Sequence, residues 1–166
     1  MDTIFKSHFS IMLYFHKIFA SALGLGFIPK GSGTFGALLA CAMIAGIFQI
    51  SNHIGNYQVI LIVTTIVVTF LGRWSSGVME THWGEDASKI VIDEVAGMCL
   101  SICLIPFTWQ NLLIAFVLFR FFDIYKPFNI RNFEKYPNGW GVMLDDVMAG
   151  IWANGCLQLI VFFLHE

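Results

Sequence analysis

Charge in this chain comes in compact knots: Asp86-Ala-Ser-Lys89, Asp93-Glu94, Arg120-Phe-Phe-Asp123-Ile-Tyr-Lys126 and Asp145-Asp146. Only 12% of residues are charged, and the knots border long apolar runs. An ionisable group against lipid is expensive, so one at membrane depth is a functional hypothesis from the start. Carboxylates are hard oxygen ligands of the kind Mg²⁺ takes, one or two at a time, together with water and substrate phosphate. Lys and Arg neutralise phosphoryl oxygens, and Arg does so with a two-pronged contact. Acids and cations in this mixture suit metal-assisted chemistry on a phosphate.

Each knot also has a plainer reading. Asp93 and Glu94 are neighbours, about 100° apart on a helix, so both cannot face one point equally. One can ligate a cation while the other holds a partner; alternatively the pair only complements a helix dipole. Asp145-Asp146 repeats the pattern inside Gly-Val-Met-Leu-Asp-Asp-Val-Met-Ala-Gly. Arg120, Asp123 and Lys126 follow at i,i+3 steps on one helix face, as phosphate ligands or as a structural ion pair of small worth. Lys30-Gly-Ser-Gly-Thr34 leads into an apolar run, either as an anion site at a helix start or as a simple cap. No His/Cys set has zinc spacing. Cys99 and Cys103 read as small buried hydrophobes, and His82 as a polar loop residue. No Ser or Cys stands in a recognisable nucleophile setting.

The elements that carry these groups are apolar helices. Of 166 residues 57% are hydrophobic, and the mean hydropathy of +0.74 points to the bilayer. A net charge of −2 argues against a nucleic-acid partner. The pattern predicts spans over 34–50, 57–72 (ending at Arg73), about 88–105 (stopped by Pro106), 112–125 and about 145–164. Residues 3–22 mix apolar residues with His and Lys and predict an interfacial helix. There is no convincing signal peptide, since the run from Ile11 to Phe15 is short and broken by His16-Lys17. The fold class is therefore all-α, an integral membrane bundle of about five embedded helices in one domain spanning 1–166. Residues 1–30 form its cytoplasmic or interfacial N-terminal segment. With the N-terminus inside, all nine Lys and Arg fall in inner segments, whereas the turns 51–56 and 107–111 hold none. Nearly all the acids gather on the same side.

Four stretches together resemble the phosphatidylglycerophosphatase A family. They are Gly24-Leu-Gly-Phe-Ile-Pro-Lys-Gly-Ser-Gly-Thr-Phe-Gly36, Asp86 with Ile90-Val-Ile-Asp-Glu-Val-Ala-Gly97, Phe119-Arg-Phe-Phe-Asp-Ile-Tyr-Lys-Pro-Phe-Asn-Ile130, and Gly139-Trp-Gly-Val-Met-Leu-Asp-Asp-Val-Met-Ala-Gly150. The likeness runs from about residue 20 to 160. Ser32 stands where the family usually has proline, and Phe128-Asn129 where it often has Trp-Pro. The resemblance implies a membrane-embedded, Mg²⁺-dependent phosphatase that turns phosphatidylglycerophosphate into phosphatidylglycerol at the cytoplasmic face of the bacterial inner membrane.

On this reading Asp93, Glu94, Asp123 and Asp146 are the catalytic acids. The metal set is those four with Asp145 and Asp86, the last at the rim beside Lys89. Lys30, Thr34, Arg120 and Lys126 hold the phosphate. A metal-held water attacking in line is the simplest scheme, with an aspartyl-phosphate as the alternative. The partners expected are the phospholipid and the membrane, with no nucleic acid and no protein. The rival from another class is a small cation transporter or channel, which would spread its carboxylates across the bilayer depth.

Overall fold

The buried residues of each long helix recur every three or four positions, so each helix turns one face inward. The computed structural model describes residues 2–51, 56–84, 88–128 and 130–164, with backbone only for 2–9. Six α-helices follow in order: α1 (Asp2–Ala20), α2 (Ser32–Ser51), α3 (Tyr57–Trp83), α4 (Ile92–Ser101), α5 (Trp109–Tyr125) and α6 (Trp140–Leu164). In α2 the inward stripe is Gly33, Gly36, Ala37, Ala40 and Ile44. In α3 it is Tyr57, Leu61, Thr65, Val68, Gly72, Ser75, Ser76 and Met79. The opposite faces expose Val59, Val63, Val67 and Phe70 of α3, Leu113, Val117 and Phe121 of α5, and Leu159 and Phe162 of α6. A bundle with apolar residues on its outside belongs in lipid. Of the six, α2, α3 and α6 are long and apolar enough to cross a membrane.

At the centre stands α4, which packs against α2, α3, α5 and α6. Every residue of it except Glu94 and Leu100 is buried. It has ten residues and is about 15 Å long, too short to cross a bilayer. The apolar run that predicts a helix over 88–105 is therefore broken at both ends. Its C-terminal carbonyls need donors from outside the helix. Asn154 of α6 supplies them: its Nδ2 donates to the carbonyls of Leu100, Ser101 and Cys103 at 3.2, 3.2 and 2.8 Å. Gln58, near the start of α3, accepts from the Leu104 N–H at 2.9 Å and donates to the Ile105 carbonyl at 2.6 Å. Gly72, about four turns on, packs on Ile92 and Met143. The short helix and its turn thus match the stretch of α3 from Gln58 to Gly72 end to end. Replacing Asn154 by Leu takes the side-chain donor from the Ser101 and Cys103 carbonyls, while Leu100 keeps the Cys103 N–H. It should cost about 1–3 kcal/mol, read as a lower melting temperature in detergent.

Other boundaries move as well. The second span does not end at Arg73, because α3 continues to Trp83 and stops at Gly84, whose φ of 89° suits glycine. Two residues of its polar C-terminal turns find partners: Ser75 Oγ lies 3.0 Å from His16 Nδ1 of α1, and the Gly139 N–H donates to Glu80 at 3.1 Å. His82 consequently sits in the last turn of α3 and not in a loop. The last helix starts at Trp140, so Asp145 and Asp146 stand more than one turn inside it. Residues Ile130–Lys135, between the expected spans 112–125 and 145–164, form a 3₁₀ helix.

Candidate active site

The N-terminal ends of α2, α4 and α6 and the C-terminal end of α5 meet at one level of the bundle. What lets them meet is the absence of side chains. A methyl group at Gly36 would lie 2.9 Å from the Val91 carbonyl, and one at Gly33 only 2.0 Å from Glu94 Oε1 and 3.1 Å from Arg120 Nη1. Between α4 and α6 the contact is backbone to backbone. A methyl at Gly97 would lie 2.5 Å from the Asp146 carbonyl, and one at Gly150 would lie 2.4 Å from the Gly97 carbonyl. Small residues that allow such an approach are the usual means of helix association in lipid.

The sequence carries a signal for this crossing beyond the paired acids. Asp93 precedes Gly97 by four residues, and Asp146 precedes Gly150 by four. Residues four apart share a helix face, so the glycine contact of α4 and α6 brings the two acids together one turn away. Asp93, Glu94 and Asp146 each present a carboxylate oxygen, all within 4.8 Å of one another. Asp93 Oδ1 also accepts the Glu94 N–H at 3.1 Å.

The remaining acids at this level are tied to cations. Arg120 pairs with Asp123 on α5, and Asp123 also neighbours Asp146. Lys126, just past the end of α5, donates to Asp145 at 2.5 Å and to Glu134 at 2.7 Å. Burial alone would lower the Lys126 ammonium, but these two hydrogen bonds outweigh it and hold the group above its ordinary value. It stays a cation. Glu134, which lies between the expected spans, is therefore part of the surround.

The other expected residues are placed less tightly. Lys30 is exposed on the approach to α2, and Thr34 is half-buried in its first turn. Neither makes an ion pair or side-chain hydrogen bond among the described residues. Lys89 is exposed, its Nζ 5.9 Å from the centre of the Trp83 ring. Asp86 lies outside the described residues.

A divalent cation fits this donor set. Five carboxylates (Asp93, Glu94, Asp123, Asp145 and Asp146) face two cations, a formal excess of three negative charges. Two buried carboxylate oxygens, Glu94 Oε2 and Asp145 Oδ1, have no hydrogen-bond donor. Such groups are costly unless a cation meets them, and all-oxygen ligands select a hard one.

A family model described as phosphatidylglycerophosphatase A matches residues 18–161. The chain belongs to that family. It is accordingly an enzyme, a phosphoric monoester hydrolase. The phosphatidylglycerophosphatase A of Haemophilus influenzae is 39% identical over 141 residues, covering 82% of each chain. That of Escherichia coli K12 is 30% identical, covering 86% of this chain and 81% of its own. A Bacteroides thetaiotaomicron protein provisionally named a phosphatidylinositol-3-phosphatase is 36% identical, covering 82% of this chain and 87% of its own. No solved structure matches.

Proposed function

We propose that this chain is a single-domain, Mg²⁺-dependent phosphatase that hydrolyses phosphatidylglycerophosphate to phosphatidylglycerol and phosphate. The observation that carries the reading is the meeting of Asp93, Glu94 and Asp146 oxygens within 4.8 Å beside Arg120 and Lys126. The positive-inside asymmetry supports a cytoplasmic N-terminus and an active site on the cytoplasmic side of a bacterial inner membrane. The phosphatidylglycerophosphatase names of the Haemophilus and Escherichia relatives support the substrate.

Asp93, Glu94 and Asp146 would hold the ion, with the free oxygen of Asp145 beside them. When bound, Mg²⁺ supplies charge against the phosphoryl oxygens and polarises the phosphorus for attack. Arg120 and Lys126 orient the phosphate, each steadied by its acid, Asp123 or Asp145. The unpartnered Oε2 of Glu94 is placed to take the proton of the attacking water. The new bond joins water oxygen to phosphorus, the bond to the glycerol oxygen breaks, and that oxygen leaves as the alcohol by taking up the proton that Glu94 received. The buried walls of α4 keep bulk water from the other side.

The test is phosphate release by purified protein in detergent. Release from phosphatidylglycerophosphate should require Mg²⁺, stop on adding EDTA and return when Mg²⁺ is restored in excess. Phosphatidylinositol 3-phosphate serves as the competing substrate, in view of the Bacteroides relative's name. Faster release from it than from phosphatidylglycerophosphate would overturn the substrate assignment, and undiminished release in EDTA would overturn the metal.

A further inference from the structure

Beside the inner half of α3, away from the acid cluster, lies a cleft of about 450 Å³ between α1 and α3. The two helices touch where the His16 ring meets Trp74 edge-on, centroids 4.6 Å apart. The cleft runs from there to Met12 and Thr81, and Gly77 lets the Asn138 backbone close its side, since a methyl group there would lie 3.1 Å from the Asn138 carbonyl. The mouth is apolar, with Met12 52% and Trp74 50% exposed. Val78 continues that wall.

The depth of the cleft is cationic. Arg73 lines it, at the end of the apolar stretch of α3, with its guanidinium 4.6 Å from the centre of the Trp140 ring. Among the described residues Arg73 has no carboxylate partner, and its Nε has no acceptor. Among the described residues no Asp or Glu lines the cleft; Glu80, on the same helix, accepts the Gly139 N–H instead. His16 is 1% exposed; its Nδ1 meets Ser75 and its Nε2 is unpartnered. Burial keeps that imidazole below its ordinary value, hence neutral.

An arginine at the edge of an apolar span needs an anion. The flanking apolar wall asks that the anion carry a hydrocarbon chain. We propose that this cleft binds one anionic phospholipid, its phosphate at Arg73 and an acyl chain along Met12, Trp74 and Val78. The site is separate from the acid cluster, and it does not depend on which ester that cluster cleaves.

The test follows Trp74 fluorescence in detergent and EDTA, with phosphatidylglycerol or phosphatidylcholine brominated on the same acyl chain. The Trp74 share is the difference between the wild type and Trp74→Phe. Phosphatidylglycerol should quench it at a concentration roughly five- to tenfold lower than phosphatidylcholine, as one well-placed cation implies. Arg73→Gln should bring the two lipids level. Val78→Phe, which narrows the wall and leaves the charge intact, should weaken both while the protein melts normally. Equal quenching in the wild type, or a preference that survives Arg73→Gln in folded protein, would overturn the proposal. Inorganic phosphate that raises the melting temperature through Arg73, without any lipid preference, would make the site one for a free anion and overturn the lipid assignment.

Discussion

Asp93→Asn should reduce phosphate release by roughly 10²–10³-fold while the protein stays folded. Loss of an outer partner of a metal typically costs 10–100-fold, and a direct ligand that also shapes the charge around the phosphate counts for more. Stability separates this from simple damage. Asp93 lies buried within a set of five acids and two cations, and Asn keeps its shape while removing one negative charge. In EDTA the variant should therefore melt at or above the wild-type temperature. In saturating Mg²⁺ the order should reverse, because an ion that binds only the folded state stabilises the protein that holds it better. A variant that melts lower under both conditions would mean that Asp93 serves the fold and not the ion.

The second large effect concerns a residue without a side chain. Gly97→Val should cost about 3 kcal/mol, the upper end for overpacking. Its first carbon would lie 2.5 Å from both the Asp146 carbonyl and Phe119 Cε2. The first is backbone, and it cannot rotate away. Either α4 and α6 part and the acids separate, or the protein fails to fold; both give little or no activity. Gly46 and Gly155 are the controls, since a methyl group at either meets nothing within 4 Å. Changing them to Ala should be neutral or slightly stabilising, as glycine is a poor helix former. Melting in detergent and phosphate release on the same samples distinguish the cases.

The paired acids, the cationic knots and the all-helical class are legible in the sequence because charge stands out against an apolar background. What the sequence hides is where an apolar run stops being a helix. Residues from Ile90 to Ile105 look continuous, yet α4 ends at Ser101. The donors that end it, Asn154 and Gln58, lie some fifty residues away in the chain. The continuation of α3 is hidden for the opposite reason. Arg73, Ser75, Ser76 and Glu80 look like a polar stretch, but a helix accepts such residues, and Ser75 and Glu80 find tertiary partners in His16 and the Gly139 N–H. The convergence of Asp93 with Asp146 was written in the repeated spacing of acid and glycine, which paired-acid reasoning alone overlooks. Pairing of Asp123 with Arg120 could be read from i,i+3 spacing, whereas pairing of Lys126 with Asp145 needed the α5–α6 contact.

Among the described residues the acid cluster and its cations sit at one end of the bundle, and the lipid-facing rim of the far end is built of hydrocarbon side chains. Hydrophobic mismatch can then be absorbed by tilting or by local thickening of lipid around Leu159, Phe162 and Phe163. A bilayer a few ångströms thicker or thinner would adjust at that rim, and the distances among the carboxylates would stay as they are.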